Sequence, residues 1–267
     1  MKKIIITLVC TVAVAAVLLT TLFVMPVLHE NDCRSRVFPE MEKDLGKVSG
    51  AVIGIIPKTE QSYGAGGSGF VFRKDAGVYY AFTAAHIVSS KSASYKVYST
   101  KTVESRLSGA GAAAGIASVD DSFYEALSDA SIEYVSPHAD IAIISFKSEE
   151  ELDCLTFADA EPQKGDKLMC LGMSDDRLLT PTYGTVTAGL KEVSFADKMN
   201  TSEKSDNVIE HDAYISNGNS GGPAINEGLT VAGINIGAEF NRFEHFRYGY
   251  LIPASQLKEC IEAMDKQ

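Results

Sequence analysis

The sequence is short of positive charge and of paired cysteines, and each shortage excludes a class of function. Its 267 residues include 24 lysines and arginines against 35 aspartates and glutamates, a formal net charge of −11. Nucleic acid is therefore not an expected partner, because phosphate binding requires a basic surface. No two of the five cysteines form a Cys-x-x-Cys pair, so we expect no zinc and no other metal. Whether the cysteines form disulfides is left open, because their pairing cannot be read from sequence.

Long stretches with helical periodicity are also scarce. From Val48 onward, short runs rich in β-branched and aromatic residues alternate with turn residues, a pattern typical of an all-β barrel or sandwich. We expect strands near 51–56, 69–72, 78–82, 95–98, 141–146, 167–172, 182–188, 208–215, 229–236 and 248–252. The 45% hydrophobic content is enough for a sizeable core.

Two segments depart from this β pattern. Residues 106–131 include a glycine–alanine run at 109–115 and a possible short helix at 120–130, and we interpret them as a surface loop or, less simply, a lid. Residues 255–266 predict a C-terminal helix that Ser255 would cap. Its apolar stripe of Leu257, Ile261 and Met264 would pack on the second half of the β structure.

The N-terminus carries one long apolar run, residues 4–28, behind Lys2 and Lys3. About 20 apolar residues cross a bilayer as a helix, and no small-residue cleavage site ends this run. We therefore expect an uncleaved transmembrane signal anchor with a cytoplasmic N-terminus and the rest of the chain on the periplasmic or extracellular side. Secretion after signal cleavage is the alternative.

A glycine-rich turn, Asn217 to Pro223, presents one serine. Gly218 lies two residues before Ser220, and two glycines follow it. Glycine tolerates backbone angles that other residues cannot adopt, so a substrate could approach Ser220 closely. The turn leads into an apolar segment that we expect to be a strand. Taken alone, an ordinary surface serine is the simpler interpretation.

His86 and Asp140 are candidates for the base and acid that a nucleophilic serine needs. His86 follows a predicted strand, and Asp140 precedes a strongly apolar one. A buried carboxylate requires a partner, and an imidazole N–H is a suitable one. A core histidine and a turn-capping aspartate are the alternatives. Together with Ser220 they supply orienting acid, base and nucleophile.

The order His, Asp, Ser separates two enzyme folds. An α/β-hydrolase places its acid and histidine after the serine. Here the segment after Ser220 is short and holds one histidine, His245. The observed order in a β-rich chain is the chymotrypsin-type order.

These three motifs resemble those of trypsin-like serine proteases, and the flanking sequence resembles their high-temperature-requirement A (HtrA) branch. The flanking matches are Gly67 to Val71, Tyr183 to Thr187, Asp212-Ala213, Gly233 to Asn235 and Tyr250 to Pro253, within residues 48–260. The resemblance implies two six-stranded antiparallel β-barrels with the catalytic cleft between them. It also implies polypeptide substrates and no cofactor.

The same resemblance implies roles for individual residues. Ser220 would attack the peptide carbonyl, His86 would transfer the proton and Asp140 would orient His86, with the amides of Gly218 and Ser220 as the oxyanion hole. The primary specificity pocket would have Tyr214 near its base and Ile234, Asn235 and Ile236 as its wall. No acidic residue occupies position 214, which favours a small or medium apolar substrate side chain.

Two departures from the family pattern limit what carries over. Asn219 replaces the aspartate that binds a newly cut N-terminus in digestive enzymes, so activation by that route is not expected. The HtrA branch commonly carries a PDZ domain after the protease, and we expect none here, so regulation and trimer formation do not carry over.

The predicted organisation is an anchor at 1–28, a linker at 29–46 and a protease domain at 47–267. The first barrel would span about 47–150, the second about 160–254 and the helix 255–266. The predicted function is a serine endopeptidase in extracytoplasmic protein processing or quality control. A catalytically silent binding or chaperone module and an esterase with the same triad are the alternatives.

Overall fold

The computed structural model describes residues 33–60, 62–64, 66–90, 92–107, 121–136, 138–173, 178–195 and 204–267. The predicted anchor at 4–28 and the glycine–alanine run at 109–115 lie outside these ranges. Within them, every helix is too short or too polar to span a bilayer.

The described residues form two closed antiparallel barrels of six strands each, as predicted from the resemblance. The first barrel has the strand order β1-β2-β3-β6-β5-β4 and the second has the order β10-β11-β12-β9-β8-β7. The strands of the first barrel are β1 Val52–Lys58, β2 Gly67–Asp75, β3 Val78–Thr83, β4 Ser94–Ser99, β5 Ser128–Val135 and β6 Ala142–Lys147. Those of the second are β7 Lys167–Met173, β8 Leu179–Phe195, β9 Lys204–His211, β10 Pro223–Asn226, β11 Val231–Phe240 and β12 Phe246–Pro253.

Each barrel is filled by the apolar side chains that its strands point inward. Ile53, Val71 and Ile144 belong to a cluster inside the first barrel. Leu168 and Cys170 belong to a cluster inside the second. Burial raises the pKa of the Cys170 thiol to about 12, so this cysteine is a buried small hydrophobe, as its apolar neighbours predict. Cys154, Cys170 and Cys260 are free thiols.

A third cluster joins the two barrels. It combines Phe70 and Phe82 of the first barrel with Leu171 and Ile234 of the second, all fully buried. The Phe157 ring, on the segment between the barrels, lies 6.5 Å from Phe70 and 5.9 Å from Phe82. This apolar contact holds the barrels together along the line where the predicted catalytic residues lie.

The sequence interpretation differs from the structure at strand β5 and at the segment that precedes it. No strand was predicted over Ser128–Val135, because most of its side chains are exposed and its sequence shows no apolar face. The segment between β4 and β5 contains α2, Thr100–Leu107, and α3, Asp121–Glu125. Phe123 of α3 is buried in the joining cluster, so this part of the predicted surface loop packs against the core.

The C-terminal helix, α4, spans Ala254–Met264. Its predicted cap is wrong, because the residue at the N-cap is Pro253 and the Ser255 hydroxyl instead donates to Glu161 at 2.7 Å. The predicted apolar stripe faces the core through Leu257, which is fully buried. Helix α4 packs on β11 and β12 as expected, and it also contacts β5 of the first barrel.

Residues 33–48, which we call the N-terminal strap, pack against the second barrel. The strap includes α1, Pro39–Glu42, and the 3₁₀ turn Leu45–Lys47. Two further 3₁₀ turns lie at Ser49–Ala51, directly after the strap, and at Ala85–Val88, after β3. Arg36 forms a 2.8 Å ion pair with Asp212. Arg34 lies 4.1 Å from the centre of the Tyr214 ring. Most of the predicted linker is therefore in contact with the barrel, although the domain boundaries themselves stay a prediction.

Candidate active site

The structure brings His86 and Asp140 together through the pairing of β3 with β6. Thr83 at the end of β3 pairs with Ala142 at the start of β6. The chain beyond β3 turns into the 3₁₀ helix Ala85–Val88, which carries His86. The Ala85 amide donates to the Asp140 carbonyl at 3.2 Å, which ties the two segments together.

Two further hydrogen bonds fix the side chains of this pair. The His86 amide donates to Asp140 Oδ1 at 2.8 Å, and His86 Nδ1 lies 2.5 Å from Asp140 Oδ2. Because a carboxylate can only accept, Nδ1 carries the proton, and in the neutral form of the ring Nε2 is left with a lone pair. The Asp140 side chain is 12% exposed and that of His86 is 44% exposed. The buried carboxylate thus has its partner, and the imidazole reaches solvent.

Ser220 lies on a turn between β9 and β10 whose conformation depends on glycine. Gly218 has a φ of +88° and Gly221 a φ of +87°, angles that side-chain-bearing residues rarely adopt. A Cβ atom on Gly221 would also lie 2.1 Å from the Ser68 carbonyl oxygen. The glycine-rich sequence around Ser220 is therefore required by both backbone angle and space.

Ser220 and His86 line the same cavity, which has a volume of about 360 Å³. The hydrogen bond described for the Ser220 hydroxyl runs to the Ile236 carbonyl at 3.5 Å. That distance is long for a hydroxyl donor, so the hydroxyl is only weakly held in this orientation.

The amides of Gly218 and Ser220 have no acceptor within the described ranges, whereas the two amides that alternate with them do. Asn219 donates to the Ser216 carbonyl at 3.2 Å, and Gly221 donates to the Asn235 carbonyl at 2.7 Å. A backbone donor without a partner at a cavity can bind an anionic oxygen. The alternation leaves two such donors on the turn that carries Ser220.

The predicted specificity residues lie mostly behind the cavity. Ile234 and Asn235 are fully buried in β11, and Tyr214 packs against Phe246 with ring centres 5.1 Å apart. Ile236 contributes the carbonyl that accepts from Ser220. None of the four is among the described residues that line the cavity.

Sequence reasoning missed the residues that do line it. Besides the predicted site residues, the lining consists of Gly66, Ile87, Ile215, Ser216, Asn217, Gly237, Ala238 and Phe240. Apart from His86, no lining residue of the described ranges is titratable. The signal available in the sequence was their spacing, since most of them lie within a few residues of Tyr214 or Ile236.

Two ionisable residues lie just before the nucleophile turn, at the end of β9. Burial lowers the pKa of His211 to about 4, so its ring is neutral. Burial also opposes ionisation of Asp212, but the Arg36 guanidinium and the Thr185 amide outweigh it, and the pKa of Asp212 lies below its ordinary value. Within the described ranges, no three metal-binding side chains come together.

Comparison with known proteins agrees with this geometry. The family model of the trypsin-like peptidase domain matches residues 67–234. The chain is 33% identical over 129 residues to a probable periplasmic serine endoprotease DegP-like from Rickettsia conorii, which covers 48% of this chain and 25% of that protein. It is 26% identical over 210 residues to the serine protease Do-like HtrA of Bacillus subtilis, covering 77% and 40% of the two chains. The chain therefore spans a quarter to two fifths of these relatives.

Solved structures show the same fold. The active form of the Rv3671c protease from M. tuberculosis superposes with a TM-score of 0.63 at 20% identity, covering 84% of this chain and 86% of that one. The serine endoprotease from Yersinia pestis gives a TM-score of 0.61 at 19% identity, covering 87% and 69%. The predicted resemblance to trypsin-like serine proteases and their HtrA branch is confirmed.

Proposed function

Because this chain belongs to the trypsin-like peptidase domain family, we propose that it is a serine endopeptidase that acts through His86, Asp140 and Ser220. The observation that carries the proposal is the His86–Asp140 pair, with Nδ1 held 2.5 Å from the carboxylate, in one cavity with the Ser220 hydroxyl. Serine is a weak nucleophile unless a neighbouring base removes its proton. The orientation of His86 leaves Nε2 available for that task.

The first step forms an acyl-enzyme. The Ser220 hydroxyl turns from the Ile236 carbonyl toward His86 Nε2, loses its proton to it and attacks the carbonyl carbon of the scissile peptide. The carbonyl oxygen becomes an oxyanion, which the free amides of Gly218 and Ser220 bind. The intermediate then collapses, and His86 passes its proton to the leaving amine.

The second step releases the acyl group. Water replaces the amine and gives its proton to His86 Nε2 as its oxygen attacks the ester carbonyl. His86 returns the proton to Ser220 Oγ as the acid product leaves. Throughout, Asp140 holds the ring in one tautomer and stabilises the imidazolium by its negative charge.

The uncharged cavity lining supports a preference for small or medium apolar side chains at the residue before the cleaved bond. Ile215, Gly237 and Ala238 supply apolar and backbone surface, and Phe240 lies at the rim with 44% of its surface exposed. A lysine or arginine side chain would find no carboxylate among the described residues that line the cavity. A cleavage profile dominated by basic residues would contradict this part of the proposal.

We place the proposed protease outside the cytoplasm, in protein processing or quality control. The predicted anchor at 4–28 supports this placement, and the Rickettsia relative carries the name of a periplasmic endoprotease. The proposed catalytic domain is residues 47–267, and the strap packs against its second barrel.

The test is covalent labelling of the full chain with a fluorophosphonate probe, followed by turnover of peptide and ester substrates. We expect wild-type protein to be labelled, Ser220→Ala to stay unlabelled and Ser255→Ala, which removes an exposed serine remote from the cavity, to be labelled like wild type. Absence of labelling in folded wild type would favour a silent binding module. Turnover of esters without peptides would favour an esterase.

A further inference from the structure

Ser68 of the first barrel is hydrogen-bonded to the nucleophile turn of the second. It lies in β2 and is fully buried. Its hydroxyl donates to the Gly218 carbonyl at 2.5 Å and accepts from the Met173 amide at 2.7 Å. Its own amide donates to the Ser220 carbonyl at 2.8 Å. Two of these bonds end on the two residues whose amides form the proposed oxyanion hole.

The remaining polar group of Ser68 is also satisfied. Its carbonyl accepts from the Thr83 hydroxyl at 2.8 Å, on the neighbouring strand β3. Space around it is tight, since a Cβ atom on Gly172 would lie 3.1 Å from Ser68 Oγ. Ser68 therefore sits in a close-packed position with every hydrogen-bonding group used.

Gly218 needs such an anchor more than other residues do. Its φ of +88° places it in a region that glycine reaches freely and leaves freely. A hydrogen bond to its carbonyl fixes the plane of the peptide that follows it. The bond from the Ser68 amide to the Ser220 carbonyl fixes the peptide between Ser220 and Gly221. The Ser220 amide lies on the peptide between these two anchors, and the Gly218 amide lies on the peptide directly before the first one.

We propose that Ser68 is a positioning residue that sets the direction of the Gly218 and Ser220 amides from across the barrel boundary. This inference rests on the proposed function, because it assigns a role in the same site. Ser68 does not touch the substrate. It acts by keeping two backbone donors aimed at the place where the oxyanion forms, which is where catalytic stabilisation is largest.

The variant Ser68→Ala tests this role. Removal of an oxyanion-hole donor itself lowers kcat by about 10²–10³-fold, and misdirecting donors that are still present should cost less. We expect kcat per active site, counted by fluorophosphonate titration, to fall about 10–100-fold with KM changed less than about twofold. The affinity of a peptide aldehyde, which forms a tetrahedral oxyanion on Ser220, should fall in proportion to kcat/KM.

Ser145→Ala is the matched control. Ser145 is another buried serine of the first barrel, and its hydroxyl donates to Glu133 at 2.5 Å, in a bond that does not reach the turn. We expect this variant to keep wild-type kcat per active site. A purely structural role for Ser68 would lower the melting temperature of both variants and leave kcat per active site unchanged in both, which would overturn the proposal.

A crystal structure of Ser68→Ala gives a readout that needs no activity. The proposal expects the peptide after Gly218 to be reoriented, and unchanged directions of the Gly218 and Ser220 amides would contradict it. Failure of the proposed function has a different signature, because folded wild-type protein would then not react with the fluorophosphonate at all.

Discussion

His86 and Asp140 in the first barrel are held by hydrogen bonds to each other, whereas Ser220 in the second barrel is held through its backbone. The acid–base pair forms between strands of one barrel, where the pairing of β3 with β6 brings the two segments together. The nucleophile turn instead depends on two left-handed glycines and on Ser68, which belongs to the other barrel. The first half of the site is built within one barrel, and the second half needs both.

The polar groups behind the two halves differ in the same way. Asp140 is buried with its carboxylate paired. Asn219, beside Ser220, is 1% exposed, and neither side-chain polar atom has a partner within the described ranges. Unpaired buried polar groups are costly. The comparison teaches that the base half carries its own stabilisation, while the nucleophile half draws on the packing around it.

The largest effect is expected from Asp140→Asn, which disrupts the His86–Asp140 half of the site. Asparagine keeps the size of the side chain but can hold His86 in the wrong tautomer, and the corresponding change in a well-studied triad lowers kcat about 10⁴-fold. We expect a loss of about 10³–10⁴-fold in kcat on a peptide substrate. The control is Asp129→Asn, an exposed partner of Lys96, which should keep full activity. A loss below about tenfold would show that the pair does not act as proposed.

Asn219→Asp disrupts the half of the site that carries Ser220 and depends on packing. The change places a negative charge in a position that is 1% exposed and, within the described ranges, has no donor for it. A buried charge without a partner destabilises by about 3–5 kcal/mol. Urea unfolding of the full chain measures this, with the exposed Asn207→Asp as the control. Equal stability of the two variants would mean that a partner for Asn219 forms in solution.

Acid should weaken the second barrel through His211. Its pKa is about 4 in the folded chain against an ordinary value of 6.5. Because the unfolded state binds the proton more readily, stability is complete above about pH 6.5 and is lost as the pH falls toward 4. The loss amounts to roughly 3 kcal/mol.

The measurement is the free energy of unfolding between pH 7 and pH 4 for wild type and His211→Gln. Glutamine does not titrate, so we expect the variant to be less stable at pH 7 but to lose less stability on acidification. Equal pH slopes for the two proteins would assign the acid sensitivity to other groups.

The smallest effect is expected from Arg36→Gln, which loosens the strap. The Arg36–Asp212 pair is partly buried, with side chains 22% and 17% exposed, and such a pair contributes about 1 kcal/mol. Loss of Arg36 also removes a cause of the low pKa of Asp212, so the variant should lose less stability than wild type as the pH falls below the ordinary aspartate range. Lys47→Gln, which breaks an exposed pair within the strap, should change nothing measurable. Identical unfolding of all three proteins would show that the strap does not stabilise the second barrel.

Much of the fold was predictable because it depends on short stretches of chain. Runs of β-branched residues such as Ala51 to Ile56 and Ile141 to Phe146 form strands wherever both faces are buried, and ten strands were expected near their observed positions. Strand β5 was missed because its exposed side chains leave no apolar pattern, and its pairing with β4 and β6 is what makes it a strand. The prediction that Ser255 caps the helix was wrong because the N-cap residue is Pro253. The Ser255 hydroxyl donates to Glu161, which is distant in sequence.

The sequence by itself determined the residue types of the site and their order along the chain. His86, Asp140 and the glycine-rich turn around Ser220 are recognisable in short motifs, because their chemistry needs particular side chains and particular backbone freedom. The tertiary structure decided which residues surround them. Ser68 reaches the turn only because two barrels dock against each other, and the folding of the second barrel places Phe240 rather than Tyr214 at the cavity. Such contacts join residues more than a hundred positions apart in some cases, as Ser68 and Gly218 are, and no local pattern encodes them.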